Sequence, residues 1–395
     1  MAYYGGRNYN SYNSGRFHIS RRFRNRAIII AGAILILALI ITLISSVFSC
    51  ICTGSASTNP TVDTATLGKK KPEKKVEKPK ADNLTFKEAD IKDEDSESTG
   101  TFDGEYYIWN TKVFESFKGV KSNAKSYAKL INGAKDTLGL KTNVYSIIMP
   151  THIEMGLPGR LRNTEEGIKT NSEADYIKNA YSNYSKKVKY INCYNQLSEH
   201  CNEYIYFDSD HNPTALGGYY VYKAFTEATK KKAVTLGECK ESTVENFYGW
   251  YNNVTDSELA VDTVHYWDFP YNMNNTITTA EGDTDSTYSC YNKEAETGSN
   301  AFSVFLYGNN PLEVIKSENK KAEGKIAIVH DSTGCPVVPY FTYNYEEVYS
   351  VDLRSYEGSL KTLCQENDID NVLIINDTVG SIDTEKFDKL SNILK

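Results

Sequence analysis

Two polar segments, far apart in the chain, carry residue types that could perform acyl transfer. The later segment places Ser332 beside Asp331, directly after an apolar run. The earlier segment contains His211, which follows Asp210 directly and Asp208 by three positions. A serine hydroxyl becomes nucleophilic when an imidazole accepts its proton, and a carboxylate can orient that imidazole. These residue types therefore indicate a serine esterase or an acyltransferase.

Each candidate residue also has a structural interpretation. A serine that follows a strand often caps the next helix, and the pattern around Ser332 is equally typical of that role. An isolated histidine in a turn can serve packing or hydrogen bonding alone. Setting aside the histidines in the N-terminal tail and in a polar loop leaves four candidate bases, which are His152, His211, His265 and His330. The residues by themselves leave the catalytic and the structural interpretations open.

The position of Ser332 follows from its neighbours. Residues 325–329 are apolar, which predicts a buried strand, and residues 333–336 are typical of a helix start. In doubly wound sheets, ligands bind at the carboxyl ends of the strands. We therefore expect the Ser332 hydroxyl to face backbone N–H groups at a helix N-terminus, which would form part of an oxyanion hole. Residues 204–220 predict a second strand, turn and helix, and that turn would present His211.

Strand-like and helical segments alternate from residue 102 onward. Strands are predicted at 143–150, 188–193, 301–306, 325–329, 348–353 and 371–375. Helices are predicted near 113–138, 173–183, 214–230, 355–366 and 382–394. The alternation predicts an α/β fold, a three-layer α/β/α domain with a parallel sheet. Residues 240–298 break the rhythm and are predicted to form an insertion of loops and short strands over one end of the sheet.

The N-terminal region predicts a membrane anchor. Residues 27–48 form an uncharged apolar run that is long enough to cross a bilayer as a transmembrane helix. Arginines precede it, so the positive-inside rule places the basic, disordered tail 1–26 in the cytoplasm. Residues 49–101 are predicted to be an extended extracytoplasmic linker, and residues 102–395 the folded domain. We expect a single-pass protein of the cell membrane; a cleaved signal peptide and a lipid-modified cysteine are the alternatives.

Charge and cysteine content exclude several classes of function. The net charge is −7, although the first 26 residues contain six arginines and no acidic residue. The remainder is therefore more acidic than the whole chain, which argues against a nucleic acid partner. The eight cysteines form no C-x-x-C pair and show no zinc-site spacing. We expect neither a metal nor a cofactor.

The candidate segments resemble the DHHW family of bacterial surface proteins, relatives of SGNH hydrolases and of alginate O-acetylation proteins. Residues 204–220 resemble the stretch in which Asp-His-His-Trp-Thr precedes Leu-Gly, and residues 325–339 resemble the strand-Lys-Asp-Ser segment. Residues 304–312 resemble the Gly-Asn-His-Pro-Leu stretch, and two further segments, 102–108 and 347–354, also fit. The resemblance spans roughly residues 102–376. It implies an SGNH-like α/β/α fold.

The resemblance also implies roles for individual residues. Asp210 matches the aspartate of an Asp-x-His pair, and Ser332 matches the nucleophile. The histidine position falls on Asn212, and the histidine of the Gly-Asn-His stretch falls on Asn310. Asparagine can form hydrogen bonds, but it cannot accept a serine proton at neutral pH. The usual assignment of roles therefore lacks a base.

An enzymatic hypothesis remains, because Asp208-x-x-His211 has the spacing of the ordinary SGNH dyad. In this hypothesis Ser332 is the nucleophile, His211 the base, and Asp208 or Asp210 the orienting carboxylate. The remaining residues expected at the oxyanion site or lining it are Gly308, Asn309, Asn310, Asn212 and Asp331, together with the backbone N–H of Ser332. The reaction would be ester hydrolysis or O-acyl transfer on a cell-envelope polysaccharide, with an acyl-transfer protein as a possible partner.

Two alternatives compete with the enzyme. The first is a catalytically inactive relative that binds a glycan or a protein through the same cleft. Tyr266 and Trp267, in the aromatic insertion, would then stack on sugar rings. The second alternative is an envelope scaffold without a ligand.

Overall fold

The computed structural model of this protein describes residues 84–395. Its strands are β1 (Thr101–Asp103), β2 (Tyr106–Trp109), β3 (Lys112–Phe114), β4 (Asn143–Met149), β5 (Val188–Ile191), β6 (Lys240–Phe247), β7 (Asp262–Asp268), β8 (Met273–Thr278), β9 (Thr284–Thr287), β10 (Leu312–Ser317), β11 (Lys325–His330), β12 (Glu347–Asp352) and β13 (Asn371–Asp377). Its α-helices are α1 (Lys121–Leu138), α2 (His152–Gly156), α3 (Glu173–Ser182), α4 (Tyr194–Glu199), α5 (Ala215–Thr229), α6 (Leu360–Glu366) and α7 (Thr384–Ile393). Short 3₁₀ helices are Gly159–Leu161, Leu236–Glu238, Trp250–Asn253, Gly298–Val304, Ser332–Gly334, Val338–Tyr343 and Gly380–Ile382.

The central sheet is mixed, whereas the sequence predicted a parallel one. Its eight strands have the order β5-β4-β13-β11-β12-β10-β8-β9. The five strands from β5 to β12 in this order are parallel to one another. Each of the last three strands, β10, β8 and β9, is antiparallel to the strand before it in this order. Only seven residues, 318–324, separate β10 from β11. A parallel crossover needs about a dozen residues or more, so this short connection forces β10 to run in the opposite direction.

Helices cover both faces of the parallel part of the sheet, as the three-layer prediction requires. The ring of Tyr145 on β4 lies 5.2 Å from that of Phe225 on α5. The next residue, Ser146, bonds to the hydroxyl of Tyr184, just beyond α3, at 2.8 Å. Successive side chains of a strand point to opposite faces, so α5 and α3 lie on opposite sides.

The insertion is divided between two sheets. Strands β6 and β7 pair with each other in a separate two-stranded sheet, and β8 and β9 extend the central sheet at its antiparallel edge. The predicted strand 301–306 is wrong, because most of it lies in the 3₁₀ helix Gly298–Val304. Most of its apolar residues are buried, and an apolar run alone cannot distinguish a buried helical turn from a strand.

Two glycines in α5 bring the chemically interesting segments together. A Cβ on Gly217 would lie 2.1 Å from the carbonyl oxygen of Ile205, and a Cβ on Gly218 would lie 2.5 Å from that of Pro336. Only glycine permits these approaches. Helix α5 therefore packs directly against the segments that precede His211 and follow Ser332.

The folded part begins earlier than the predicted boundary at residue 102. Leu84 is buried in the main core, and the Lys87 and Lys92 backbone N–H groups donate to side chains of residues 195 and 202. Asp93 forms a two-pronged ion pair with Arg160. Part of the predicted linker 49–101 is therefore attached to the domain. Among residues 84–395 no helix is long and apolar enough to cross a membrane, and the predicted span 27–48 and tail 1–26 lie outside these residues.

Candidate functional site

Ser332 follows β11, in a turn that is capped by its neighbour. The Asp331 side chain accepts hydrogen bonds from the Thr333 backbone N–H at 3.0 Å and from its hydroxyl at 2.7 Å. The predicted helix after Ser332 is replaced by two short 3₁₀ helices. Proline cannot donate a backbone hydrogen bond, and Pro336 and Pro339 together prevent a continuous helix. Asp331 is thus the cap, and a three-residue helix supplies only a small dipole to Ser332.

The Ser332 side chain faces a cavity of about 350 Å³. Such a volume is typical of small-ligand sites. The cavity lies at the carboxyl ends of three adjacent parallel strands, β4, β13 and β11, whose following loops line it. Within residues 84–395 the Ser332 hydroxyl has no hydrogen-bond partner. Other residues that line the cavity are His211, Trp250, Tyr251, Glu115, Asp377 and Lys386.

A cluster of charges forms one wall of this cavity through Lys386, Asp377 and Glu115, which line it; Asp331 joins the cluster through Lys386 and does not itself line the cavity. Asp331 is 1% exposed and pairs with the ammonium of Lys386. Burial acts to raise the pKa of Asp331, but Lys386 outweighs it and holds that pKa below its ordinary value. Burial raises the pKa of Asp377. Burial, and then the nearby Asp377 carboxylate, raise the pKa of Glu115. The wall is therefore acidic, with Lys386 as its principal counter-charge.

Asp210 and Asn212 flank His211 in sequence and are buried beside the cavity; unlike His211, neither is among its lining residues. The Asp210 carboxylate is buried and accepts three N–H donors. One oxygen accepts the backbone and side-chain N–H groups of Asn212, at 2.9 and 2.6 Å, and the other accepts the backbone N–H of Trp250 at 2.7 Å. In an Asp–His pair, the Nδ1–H of the imidazole donates to the carboxylate. The Nδ2 of asparagine is attached to Cγ as Nδ1 is in histidine, so Asn212 reproduces this bond.

The other atom of the Asn212 amide is poorly accommodated. Its Oδ1 is buried and has no hydrogen-bond partner among the described residues. An unsatisfied buried acceptor costs about 1–3 kcal/mol. The equivalent atom of histidine is the carbon Cδ2, which needs no partner. At this atom the surroundings of residue 212 therefore suit a carbon better than an amide oxygen.

His211 lines the cavity with Ser332 but is not oriented by a carboxylate. Its Nδ1 lies 3.8 Å from Asp210 Oδ1, which is longer than a hydrogen bond. The ring contacts the aromatic rings of Trp250 and Tyr251 edge-on, with centroids 5.6 and 6.3 Å away. Neither ring nitrogen is hydrogen-bonded within the described part of the chain. The triad geometry predicted for His211 is therefore incomplete.

Asp208 does not take part in this site. Its carboxylate lies 3.7 Å from the ammonium of Lys112 and lines a different cavity. Its backbone N–H donates to the Asp262 carboxylate, which holds the backbone of Asp208 in place. The predicted pairing of Asp208 with His211 is thus not formed. The segment before them is also not a strand, because Tyr206 and Pro213 pair across a turn of the same segment.

The predicted oxyanion segment 308–310 lies away from the Ser332 cavity. The Gly308 N–H already donates to the carbonyl of residue 305, at 3.1 Å. Asn309 is exposed, and its side chain accepts from Arg354 at 2.6 Å. The Asn310 amide donates to the backbone and to Glu313. None of the three lines the cavity, so the structure does not bring them to Ser332.

Glu313, the partner of Asn310, should make stability depend on pH. It is 1% exposed, and burial raises its pKa to about 8 from the ordinary 4.5. Between these values the folded state binds more protons than the unfolded state, so stability should fall as pH rises, by at most ~1.4 kcal/mol per pH unit. Glu313→Gln should remove this contribution to the pH dependence of the unfolding free energy, measured by urea unfolding across that pH range. Part of the pH dependence should remain in the variant, because burial also raises the pKa of Glu173. Glu318→Gln is the exposed control, and equal slopes in both variants would contradict the assignment.

The aromatic residues at the cavity differ from those predicted. Tyr266 is buried against Tyr291, and Trp267 packs on the core, so neither reaches the cavity. Trp250 and Tyr251 line it instead. A Cβ on the preceding Gly249 would lie 2.2 Å from a backbone oxygen of the Asp210 loop, so this glycine permits the close approach of the two segments.

Among residues 84–395 no cluster of histidine, cysteine and acidic side chains is arranged to hold a metal ion. All six cysteines in this part are free. The cavity is thus lined by a serine, a histidine, an aromatic wall and an acidic wall, and the carboxylate–amide pair flanks that histidine in sequence. It defines the protein as a mixed α/β domain with a serine cavity at the carboxyl edge of its sheet.

The comparisons with known proteins agree with this class. The family model of the DHHW proteins matches residues 80–351, and the chain belongs to that family. A DHHW family protein from Eubacterium siraeum is similar at 25% identity and a TM-score of 0.67, over 75% of this chain and 100% of that one. Bacillus cereus PatB1, in a structure with a sulfonyl adduct, is similar at 17% identity and a TM-score of 0.58, over 73% and 97%. The O-acetyltransferase domain of Pseudomonas putida AlgJ matches at 12% identity and a TM-score of 0.40, over 75% and 98%.

The likeness to PatB1 concerns the fold alone. No curated protein is significantly similar to the sequence.

Proposed function

We propose that this protein is a catalytically silent member of the DHHW family that binds a cell-envelope glycan in the Ser332 cavity. One observation carries the proposal: Asn212 holds the hydrogen bond to Asp210 that an imidazole would hold, at 2.6 Å. The amide has no atom that can take the serine proton. The Ser332 hydroxyl would then serve as a hydrogen-bonding group for the ligand rather than as a nucleophile.

The walls of the cavity support a sugar ligand. Trp250 is 42% exposed at the cavity, and Tyr106 and Tyr251 hold its ring edge-on at 6.1 and 5.4 Å. A rigid, half-exposed aromatic ring offers an apolar face to a pyranose ring. Ser332 and the carboxyl groups of the acidic wall can bond to hydroxyls. The predicted membrane span 27–48 would place this cavity at the cell surface.

The absence of catalysis can be tested directly. The full chain is incubated with a serine-reactive fluorophosphonate and, separately, with an aryl acetate. We expect no labelling of Ser332 and no hydrolysis above that of Ser332→Ala. Labelling of Ser332 that disappears in His211→Ala would overturn the proposal.

Sugar binding should depend on Trp250. Trp250→Ala should weaken the binding of cellotriose and of tri-N-acetylchitotriose about tenfold, because the stacking face is removed. Isothermal titration calorimetry measures the change. Tyr288→Ala is the matched control, since Tyr288 is 86% exposed in the same insertion and lies outside the cavity. Equal affinities for both variants would contradict the assignment.

Acyl transfer is the second candidate function, and it is favoured by the shared position of His211 and Ser332 in one cavity. In this scheme His211 accepts the Ser332 proton while the serine oxygen attacks the acyl carbon of a donor ester. The bond from that carbon to the donor oxygen breaks, and the donor leaves as an alcohol with the proton from His211. A glycan hydroxyl or water then attacks the acyl-serine, His211 takes its proton, and Ser332 leaves with that proton. The ester would be a small molecule or would be carried by an acyl-transfer protein that docks at the cavity.

A further inference from the structure

A second cavity, of about 210 Å³, lies beside the Ser332 cavity. His152 lines both of them. The segment 91–94, which precedes the predicted domain boundary, contributes to the wall of the second cavity. Its inner lining includes Trp109, Lys112, Tyr204, Tyr206 and Asp208. This is the cavity that Asp208 lines, as described above.

Two buried nitrogen atoms of its lining have no partner. Trp109 is 3% exposed, and its indole Nε1 makes no hydrogen bond in the described part of the chain. The Nδ1 of His152 is also buried without a partner. Burial lowers the pKa of His152 to about 3, so the ring is neutral and offers one donor and one acceptor. Buried polar groups in native proteins are nearly always satisfied, if not by protein then by water or a ligand.

The charged residues of this cavity suit hydroxyl groups. The Lys112 ammonium and the Asp208 carboxylate lie 3.7 Å apart. A hydroxyl can accept from the ammonium and donate to the carboxylate at the same time, which a simple anion or cation cannot do. The other charges of the lining, on Lys92, Glu94 and Glu203, leave the cavity without a large excess of either sign. A neutral, hydroxyl-rich ligand therefore fits its chemistry.

We propose that the second cavity is a sugar subsite, in which Trp109, Lys112, Asp208 and His152 bind one unit of a neutral glycan. The glycan would extend past His152 into the Ser332 cavity. This inference rests on the proposed function, which supplies the identity of the bound glycan. His152 would then contact both sugar units, because it lines both cavities. Gly156 permits this position, since a Cβ there would lie 2.5 Å from His152 Nε2.

The three tryptophans of the chain allow ligand binding at the two cavities to be measured separately. Trp109 reports on the second cavity, Trp250 reports on the Ser332 cavity, and Trp267 serves as an internal reference. The full chain is labelled with ¹⁵N in its indole groups, and each signal is assigned by a Trp→Phe replacement. Cellotriose and tri-N-acetylchitotriose are then titrated. We expect the Trp109 and Trp250 signals to move together and to saturate.

Variants of the charged pair sharpen the test. Lys112→Met should weaken the sugar binding that the Trp109 signal reports about tenfold, because a charge-assisted hydrogen bond to the ligand is lost. Lys118→Met is the control, since Lys118 forms only an exposed pair with Glu105 outside the cavity. Equal affinities for the two variants would overturn the role of Lys112.

The remaining outcomes separate the two proposals. Movement of the Trp250 signal alone would overturn the second subsite and leave the proposed function standing. Movement of the Trp109 signal alone would support a sugar site here and overturn sugar binding at Ser332. If neither signal moves, both proposals fail. A Trp109 signal that responds to acetate or phosphate but to neither trisaccharide would show an anion site and overturn the inference.

Discussion

Replacing Asn212 by histidine is expected to create esterase activity at Ser332. The Nδ1–H of the new imidazole can take over the bond to Asp210 that the Asn212 amide now makes at 2.6 Å. The buried and unpartnered Oδ1 would be replaced by a carbon, which suits its surroundings. A positioned general base contributes about 10²–10⁴-fold in rate. We expect aryl acetate hydrolysis to rise at least tenfold over the wild type, together with fluorophosphonate labelling of Ser332.

Two controls belong to this experiment. Asn212→His combined with Ser332→Ala should show no gain, because the nucleophile is absent. Asn212→Gln should also show none, since its amide again cannot accept a proton. A gain in the serine-free variant would assign the activity to another group. If a folded Asn212→His protein gains no esterase activity, a histidine at residue 212 does not act as a base on Ser332.

Removing the charge of Lys386 is expected to destabilise the fold by about 3 kcal/mol. Lys386→Met keeps the length of the side chain but leaves the Asp331 carboxylate buried without its counter-charge. Breaking a buried ion pair in this way typically costs ~3–5 kcal/mol, and the partial exposure of Lys386 places the value at the lower end. Urea unfolding of the full chain near neutral pH measures the loss.

The pH dependence of this loss has a definite sign. The pKa of Asp331 is lowered in the folded state, so its stabilisation is present above the unfolded pKa and is lost as the pH falls through the folded one. The difference between wild type and Lys386→Met should therefore shrink in acid. Lys389→Met, which removes an exposed pair with Glu385 on the same helix, should cost ~1 kcal/mol or less. A loss in Lys386→Met no larger than that of the control would contradict the role of the buried pair.

The buried parallel strands were recognisable from the sequence. Strands β4, β11, β12 and β13 consist largely of consecutive buried residues, and such runs stand out from their polar neighbours. Strands β8 and β10 alternate between buried and half-exposed positions and lie in polar surroundings, so the same criterion missed them. The antiparallel part of the sheet was therefore missing from the prediction.

Residues of the candidate site were predictable only where their chemical type and their immediate sequence neighbours together formed a recognisable pattern. Ser332 and Asp210 were identified from local motifs, and the unusual Asn212 from the family resemblance. Lys386 meets Asp331 across 55 positions of sequence, because β13 inserts between β4 and β11 and carries the following helix to the cavity. No local pattern encodes that meeting. Trp250 was missed for the same reason, since it depends on how the insertion folds back onto Asp210.

The hydrogen bond between Asp210 and residue 212 also has a genetic consequence. The codons of asparagine and histidine differ only in their first base. An imidazole at residue 212 could make the equivalent bond to the Asp210 carboxylate through its Nδ1–H. The silent form proposed above and the Asn212→His form are therefore a single base substitution apart.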